Sequence, residues 1–223
     1  MNSVAPNEKI NYLRATAFVD SSDPSIRDFA RTAAGNAQTA KERAIALYGA
    51  VRDAIQYDPY RNFLDPATYR ASAVLAAGKG FCVGKSALLA AAARAVDVPA
   101  RPGYADVRNH LTSKRLQEHM GNTFYWHSYT ELYIDGKWVK CTPAFDAALC
   151  ERAKIKPLDF DGENDSLFHP FDQAGRQHME YLADRGAFED VPFETIVADF
   201  KKFYPMLLAA SPAMAAFRDE VTT

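Results

Sequence analysis

Cys82 lies in Lys79-Gly80-Phe81-Cys82-Val83-Gly84-Lys85-Ser86, where a glycine-flanked loop runs into the Ala/Leu-rich stretch Ala87–Val96. A thiol in that place opens a helix. Unpaired backbone N–H groups and the positive end of the helix dipole favour the thiolate there, and the thiolate is the nucleophilic form of cysteine. The competing reading is a free cysteine that packs as a small hydrophobe. A thiolate nucleophile needs a base and usually a third group that orients the base. Five histidines compete for that role: His110, His119, His127, His169 and His178. His127 is preferred because it alone sits in a well-defined strand, where its ring can be aimed with little freedom. The others fall in polar loops or near helix boundaries, and the alternative for His127 itself is a satisfied, half-buried strand histidine.

The elements that must position these two side chains can be read from periodicity and punctuation. From Pro24 to Tyr57 apolar residues recur at helical spacing, notably Ala44, Leu47, Val51 and Ile55, which predicts two helices, the first ending near Gly35. Asp58-Pro59-Tyr60 breaks the pattern, and a short helix is expected over Ala71–Ala77, closed by Gly78. After the Cys82 helix, Val98-Pro99-Ala100-Arg101-Pro102 turns the chain, and Gly103–Val107 enters the first strand. The polar segment Arg108–Gly121 fits a lid or a short surface helix.

The strongest structural signal is Thr123–Thr142. Alternating strand-forming residues run to Ile134, Asp135-Gly136 supplies a two-residue type I′ turn, and Lys137–Thr142 runs back. Counting outward from the turn pairs Ile134 with Lys137, Leu132 with Val139, Tyr129 with Thr142 and His127 with Ala144. Opposed residues share a face, so His127, Tyr129, Thr142 and Ala144 are expected to point the same way. Beyond the hairpin, Phe145–Glu151 reads as loop or short helix and Leu158–Gln173 as acidic and turn-rich. Pro192–Tyr204 and Met206–Phe217 read as terminal helices.

Composition bounds the function. The chain of 223 residues, 48% hydrophobic and 24% charged, is that of one ordinary globular domain. A net charge of −2 leaves no basic footprint for nucleic acid. No apolar run approaches the ~20 residues that span a bilayer, so no membrane partner is expected. Met1–Lys9 has no basic region followed by an apolar stretch, so it does not read as a secretory signal. Three cysteines make an odd count, too sparse for a disulfide framework, and predict a reducing, cytoplasmic setting. Cys141 and Cys150 could pair only if their backbones approach within ~7 Å, and reduced core thiols are expected.

Other motifs fail on spacing. A phosphate loop ending at Gly84-Lys85-Ser86 would need glycine where Lys79 stands. The acidic run Asp159–Asp165 lacks the ligand order of an EF-hand, and His169 and His178 offer no zinc spacing. No metal or cofactor is expected.

Three ordered blocks carry a resemblance. They are Gly80-Phe81-Cys82-Val83-Gly84-Lys85-Ser86-Ala87-Leu88-Leu89, then Arg94-Ala95-Val96-Asp97-Val98-Pro99-Ala100-Arg101, then His127-Ser128-Tyr129-Thr130-Glu131-Leu132-Tyr133-Ile134-Asp135-Gly136-Lys137-Trp138-Val139. Together they resemble the transglutaminase-like superfamily: a Cys opening a helix, a turn of the G-[IV]-P-A-R kind, and an H-x-[WY]-x-E-x-Y-x-[DN]-G-x-W hairpin. Asp97 stands where the turn's glycine is usual. The resemblance covers about Ala44 to Asp146.

It implies an α+β, papain-like transglutaminase core, with the nucleophile helix packed on an antiparallel sheet. Helical extensions would flank the core at 1–43 and 147–223, the whole forming a single domain. It also implies acyl transfer through a thioester on a peptide or protein amide, as in a cysteine protease or other amide hydrolase. Cys82 would be the nucleophile and His127 the base and then the acid. The oxyanion would be held by the Cys82 N–H and a side-chain donor, for which Tyr57 is a candidate. The family usually carries an Asp four residues after the hairpin tryptophan, and here Thr142 occupies that position. Asp146, four residues further on, is the expected third member if the chain curls back, with Thr142 a possible local orienter of the ring. An incomplete triad would instead leave a catalytically inactive peptide-binding or interaction module.

Overall fold

The structure, a computed structural model, describes residues 11–110, 113–167, 175 and 179–206. The N-terminal part is helical, as its periodicity predicts. Helix α1 (Pro24–Ala34) starts at Asp23, whose carboxylate accepts from the Ser25 N–H, and stops at Gly35. Helix α2 (Ala40–Ala54) opens on a reciprocal capping box between Thr39 and Glu42. It delivers the chain into β1 (Gln56–Tyr57). Helix α3 (Ala71–Ala77) ends at Gly78, which adopts φ 63°, the left-handed conformation that glycine takes without strain. The next two residues form β2 (Lys79–Gly80), parallel to β1, so Tyr57 is paired with Gly80 just before the nucleophile helix.

That helix, α4 (Cys82–Ala95), is the spine of the molecule. Every residue from Cys82 to Arg94 is buried. A helix apolar on all sides belongs in the interior, and α4 has α1, α2 and α3 on one side and the sheet on the other. Its small residues permit close approach. A Cβ at Gly84 would lie 2.7 Å from the carbonyl oxygen of Thr68. Lys85 is fully buried, and its ammonium donates to the carbonyls of Arg52 (2.9 Å) and Ile55 (2.5 Å). Those carbonyls close α2, and a cation there satisfies acceptors that the helix itself leaves open. The side chain thereby fastens the end of α2, and Tyr57 beyond it, to the start of α4.

The sheet is antiparallel, in the order β5-β4-β3-β6. Its strands are β3 (Ala100–Asn109), β4 (Thr123–Ile134), β5 (Lys137–Cys141) and β6 (Met179–Ala187), with α5 (Lys114–Met120) between β3 and β4. Helix α6 (Ala147–Ala153) follows β5, and α7 (Phe193–Phe203) follows β6. The hairpin forms at Asp135-Gly136, both with positive φ, and the pairs Ile134–Lys137 and Leu132–Val139 hold as counted.

The count fails further from the turn. The β4–β5 ladder ends at Thr130–Cys141, so neither the Tyr129–Thr142 nor the His127–Ala144 pair is made. Thr142 instead donates its N–H to the Ser166 carbonyl, because the returning segment 159–166 lies beside β5 and takes over its hydrogen bonds. Two-residue periodicity cannot foresee a competing strand edge. The sequence reading also had no strand at β6, whose residues from Glu180 to Ala187 are only partly buried or exposed. An edge strand of that kind carries little of the alternating pattern that marks a half-buried one. The Met206–Phe217 helix expected at the C-terminus lies outside the described residues, apart from Met206.

Candidate active site

Cys82 is the first residue of α4, after Phe81 in extended conformation, and no side chain caps the helix. The N–H groups of Ser128, Val83 and Cys82 itself are therefore directed at the sulfur. They do not win. Burial is the larger effect and pushes the thiol up to about 11, the reverse of the lowering expected at a helix N-terminus. With Cys82 only 7% exposed, the dipole acts on a group that has lost its water.

The strand is set against the helix by a match of repeats. Thr130 donates its hydroxyl to the carbonyl of Ser86, and Ser128 offers its N–H to Cys82. Two residues on a strand rise about 6.7 Å and four on a helix about 6 Å, so the two contacts are in step. Just before His127 the regular ladder breaks. The register of β3 against β4 shifts between Ala105 and Val107, and Trp126 takes φ 60°. Its N–H is satisfied at 3.1 Å by the carboxylate of Asp106 instead of a strand carbonyl. A bulge of this kind re-aims the side chains next to it.

Cys82 and His127 line one cleft of about 380 Å³, with Tyr57 and Tyr125 also on its wall. His127 is 2% exposed. Two other expected competitors for the base are engaged elsewhere: His110 lies 3.3 Å from Glu180, and the His119 ring is 2.7 Å from the carbonyl of Arg115. His169 and His178 lie outside the described residues. Tyr57, the candidate oxyanion donor, is buried, and its phenol is held well above its ordinary value by burial first and by the neighbouring Cys82 second.

A second cavity, of about 360 Å³, is lined by His127 together with Thr142, Ala144, Phe145 and Cys150. Thr142 thus comes to the neighbourhood of the ring. Its hydroxyl is buried and makes no hydrogen bond among the described residues. Asp146 is buried at the N-cap of α6. One carboxylate oxygen accepts from the Leu149 N–H and the other from the Tyr57 N–H, each at 3.0 Å. The chain does curl back after Pro143, and Asp146 reaches the strand that carries Tyr57. Within the Arg108–Gly121 segment Lys114–Met120 forms α5, a short helix, and its Leu116 and Met120 line the Cys82 cleft.

The sequence reading missed the parts that come from the C-terminal side. Phe200 of α7 lines the cleft. Arg185 of β6 bonds to Asp106 (2.5 Å) and Asp199 (2.9 Å) and stacks over the Trp126 ring at 4.5 Å. Asp199 also accepts from the Trp126 indole N–H at 2.7 Å. This network clamps α7 onto β4 one residue before the histidine. The tryptophan beside His127 was the one visible clue, because a buried indole N–H needs an acceptor.

The family model described as Transglutaminase-like superfamily matches residues 27–143. No curated protein matches the chain. Among solved structures, a candidate cysteine protease from Cytophaga hutchinsonii is similar at 19% identity and a TM-score of 0.47. That similarity covers 63% of this chain and 45% of the other, less than half of its length. No helix among the described residues is long and apolar enough to cross a membrane.

Proposed function

Because the chain belongs to the transglutaminase-like superfamily, we propose that it is a cysteine-dependent amide hydrolase or acyltransferase, with Cys82 as nucleophile and His127 as base. The observation that carries this reading is that both side chains line one cleft. His127 takes the Cys82 proton, and the sulfur attacks the amide carbonyl. The C–N bond then breaks, and the amine leaves with the proton held by His127. Water or an amine attacks the thioester carbon and gives its proton to His127; the C–S bond breaks to release acid or new amide, and His127 returns the proton to the Cys82 sulfur. The Cys82 N–H, with Tyr57 as side-chain donor, would stabilise the oxyanion.

Asp146 is the proposed third member, a positioning residue that acts through the chain around His127 and Tyr57. The deep burial of the thiol makes α5 a lid that must move before substrate enters, so a bound inhibitor is expected to slow proteolysis in 108–121. The substrate is proposed to be a peptide or protein amide, with no nucleic-acid or membrane partner expected. A cytoplasmic setting fits three cysteines that are all unpaired.

A second reading, an inactive peptide-binding module, draws on the Thr142 hydroxyl that meets no partner among the described residues. Acylation by p-nitrophenyl acetate, followed by intact-mass and peptide mapping, separates the two. An acetyl thioester on Cys82 is expected, formed at least about 100-fold more slowly in His127→Ala. Equally slow acylation of both proteins would leave only the binding module.

A further inference from the structure

The walls of the Cys82 cleft specify more than the chemistry. Among the described residues its lining includes Phe63, Phe81, Leu116, Met120, Phe124 and Phe200. Beyond the thiol, the imidazole and two phenols, no polar side chain among the described residues lines it: they place no carboxylate, amide, ammonium or guanidinium on the wall. The rings are mutually fixed. Phe63 packs edge-to-face on Phe81 with centroids 4.9 Å apart and on Phe200 at 5.3 Å. Such contacts present ring faces and edges at settled positions instead of a surface that can rearrange.

Phe200 itself is held from behind. Asp199 is bonded to Trp126 and Arg185, and the Tyr204 hydroxyl donates to the Thr123 carbonyl (2.9 Å) and accepts from the Tyr125 N–H (2.6 Å). The wall contributed by α7 is therefore as firmly placed as the histidine. The other wall, from α5, carries the flexible side chain of Met120, which is half-buried. One side is rigid and aromatic, the other adaptable and aliphatic.

We propose, resting on the acyl-transfer reading above, that this cleft selects an apolar acyl group: an aromatic or branched aliphatic side chain on the residue whose carbonyl Cys82 attacks. Two physical arguments support it. A glutamine, lysine or aspartate side chain entering here would lose its water and meet, among the described residues, only the thiol, the imidazole and two phenols, at a cost of about 1–3 kcal/mol for a neutral polar group left unpaired and more for a charge. A phenylalanine or leucine side chain gains burial against rings already in place, with no ordering of the aromatic wall to offset it. The C-terminal helix α7, which lies beyond the residues matched by the family model, is then the specificity wall.

The test uses the full chain and a panel of N-acetyl aminoacyl chloromethyl ketones bearing phenylalanine, leucine, glycine, glutamine, lysine or aspartate side chains. Labelling of Cys82 is followed by intact mass, and each rate is divided by that of glutathione with the same probe. The phenylalanine and leucine probes are expected to label at least about tenfold faster than the glutamine, lysine and aspartate probes. Phe200→Ala should lower the phenylalanine-to-glycine ratio about tenfold. Met120→Glu, at a half-buried position that tolerates the change, should raise the lysine probe relative to the phenylalanine probe. A glutamine or charged probe labelling fastest, or rates that follow glutathione across the panel, would overturn the specificity while leaving the nucleophile intact. Failure of every probe, glycine included, to label Cys82 would overturn the acyl-transfer reading and this inference with it.

Discussion

The two sides of His127 are built in different ways. Toward Cys82 the ring faces a cleft whose α4, β4 and α7 walls are fixed: α4 is buried along its length, the Ser128 N–H is directed at the sulfur, and Trp126 is clamped by Asp106, Arg185 and Asp199. Away from Cys82 the ring faces a second cavity with a hydroxyl that finds no partner among the described residues, at Thr142. The nearest carboxylate along the chain, Asp146, serves two backbone N–H groups. The contrast teaches that the positions of Cys82 and His127 are over-determined by packing, whereas Asp146, the proposed support behind the base, is a capping residue whose observed bonds are structural.

The largest expected effect breaks that support. Asp146→Ala removes two charge-assisted acceptors from buried N–H groups at once, and a loss of about 3 kcal/mol is expected in urea unfolding. Asp146→Asn keeps the shape and part of the bonding, so it separates the two duties. Its acylation by p-nitrophenyl acetate is expected to fall at least about tenfold while most of the stability survives. An unchanged acylation rate would confine Asp146 to capping α6.

On the nucleophile side, Gly84→Ala is expected to cost about 2 kcal/mol, because its Cβ would lie 2.7 Å from a backbone oxygen that cannot swing away. The helix carrying Cys82 must then shift, and acylation should fall along with stability. A variant with wild-type unfolding midpoint would show that the α4 side has the slack attributed to the Thr142 side.

The same contrast decides what the sequence could reveal. Cys82, the α4 helix, the Asp135-Gly136 hairpin and His127 are local statements: punctuation, period and turn chemistry within a few residues. The helix that opens at Cys82, the strand that carries His127 and the turn stand in the structure. The rear of the site depends on where the chain goes after Pro143, and counting the hairpin register to Thr142 failed because residues 159–166 displaced it from the ladder. The clamp on Trp126 joins residues 106, 126, 185 and 199, separations at which no periodicity speaks. The raised thiol was also illegible, since a helix N-terminus can be read from glycines and alanines, but the depth of burial that outweighs it belongs to the tertiary fold.

Burial of thiols on both sides of His127 has a consequence in pH. Cys82 lines one cavity and Cys150 the other; burial pushes the first up to about 11 and the second up to about 12, against about 8.5 in an unfolded chain. A thiol is neutral when protonated, so between those values the unfolded chain holds fewer protons than the folded one. Stability is therefore full below about 8.5 and falls as pH rises, by up to about 1.4 kcal/mol per pH unit for each thiol. Urea midpoints measured from pH 8 to pH 10.5 should fall, and Cys82→Ala should remove one thiol's share of the slope. A slope that Cys82→Ala leaves unchanged would mean that burial does not hold the Cys82 thiol protonated in the folded protein, and the lid would then not be needed to explain its resting state.

The smallest expected effect is the sharpest test of the comparison. Thr142→Val replaces a buried hydroxyl that makes no hydrogen bond among the described residues with a methyl group of the same shape. Removing an unpaired polar atom from an apolar cavity is neutral or stabilising, so a change between zero and about 1 kcal/mol in the stabilising direction is expected, with acylation unchanged. A loss of acylation with stability retained would show that the hydroxyl reaches the imidazole during the reaction, when the ring is charged and the lid displaced. Thr142→Asp sharpens the same point from the other side. A carboxylate in that cavity would stand on the wall it shares with His127, and it should hold the imidazolium at higher pH than the threonine does. The pH profile of acylation should then shift upward on its acid limb even if the maximal rate does not rise. No shift would place the carboxylate out of reach of the ring and return the supporting role to Asp146.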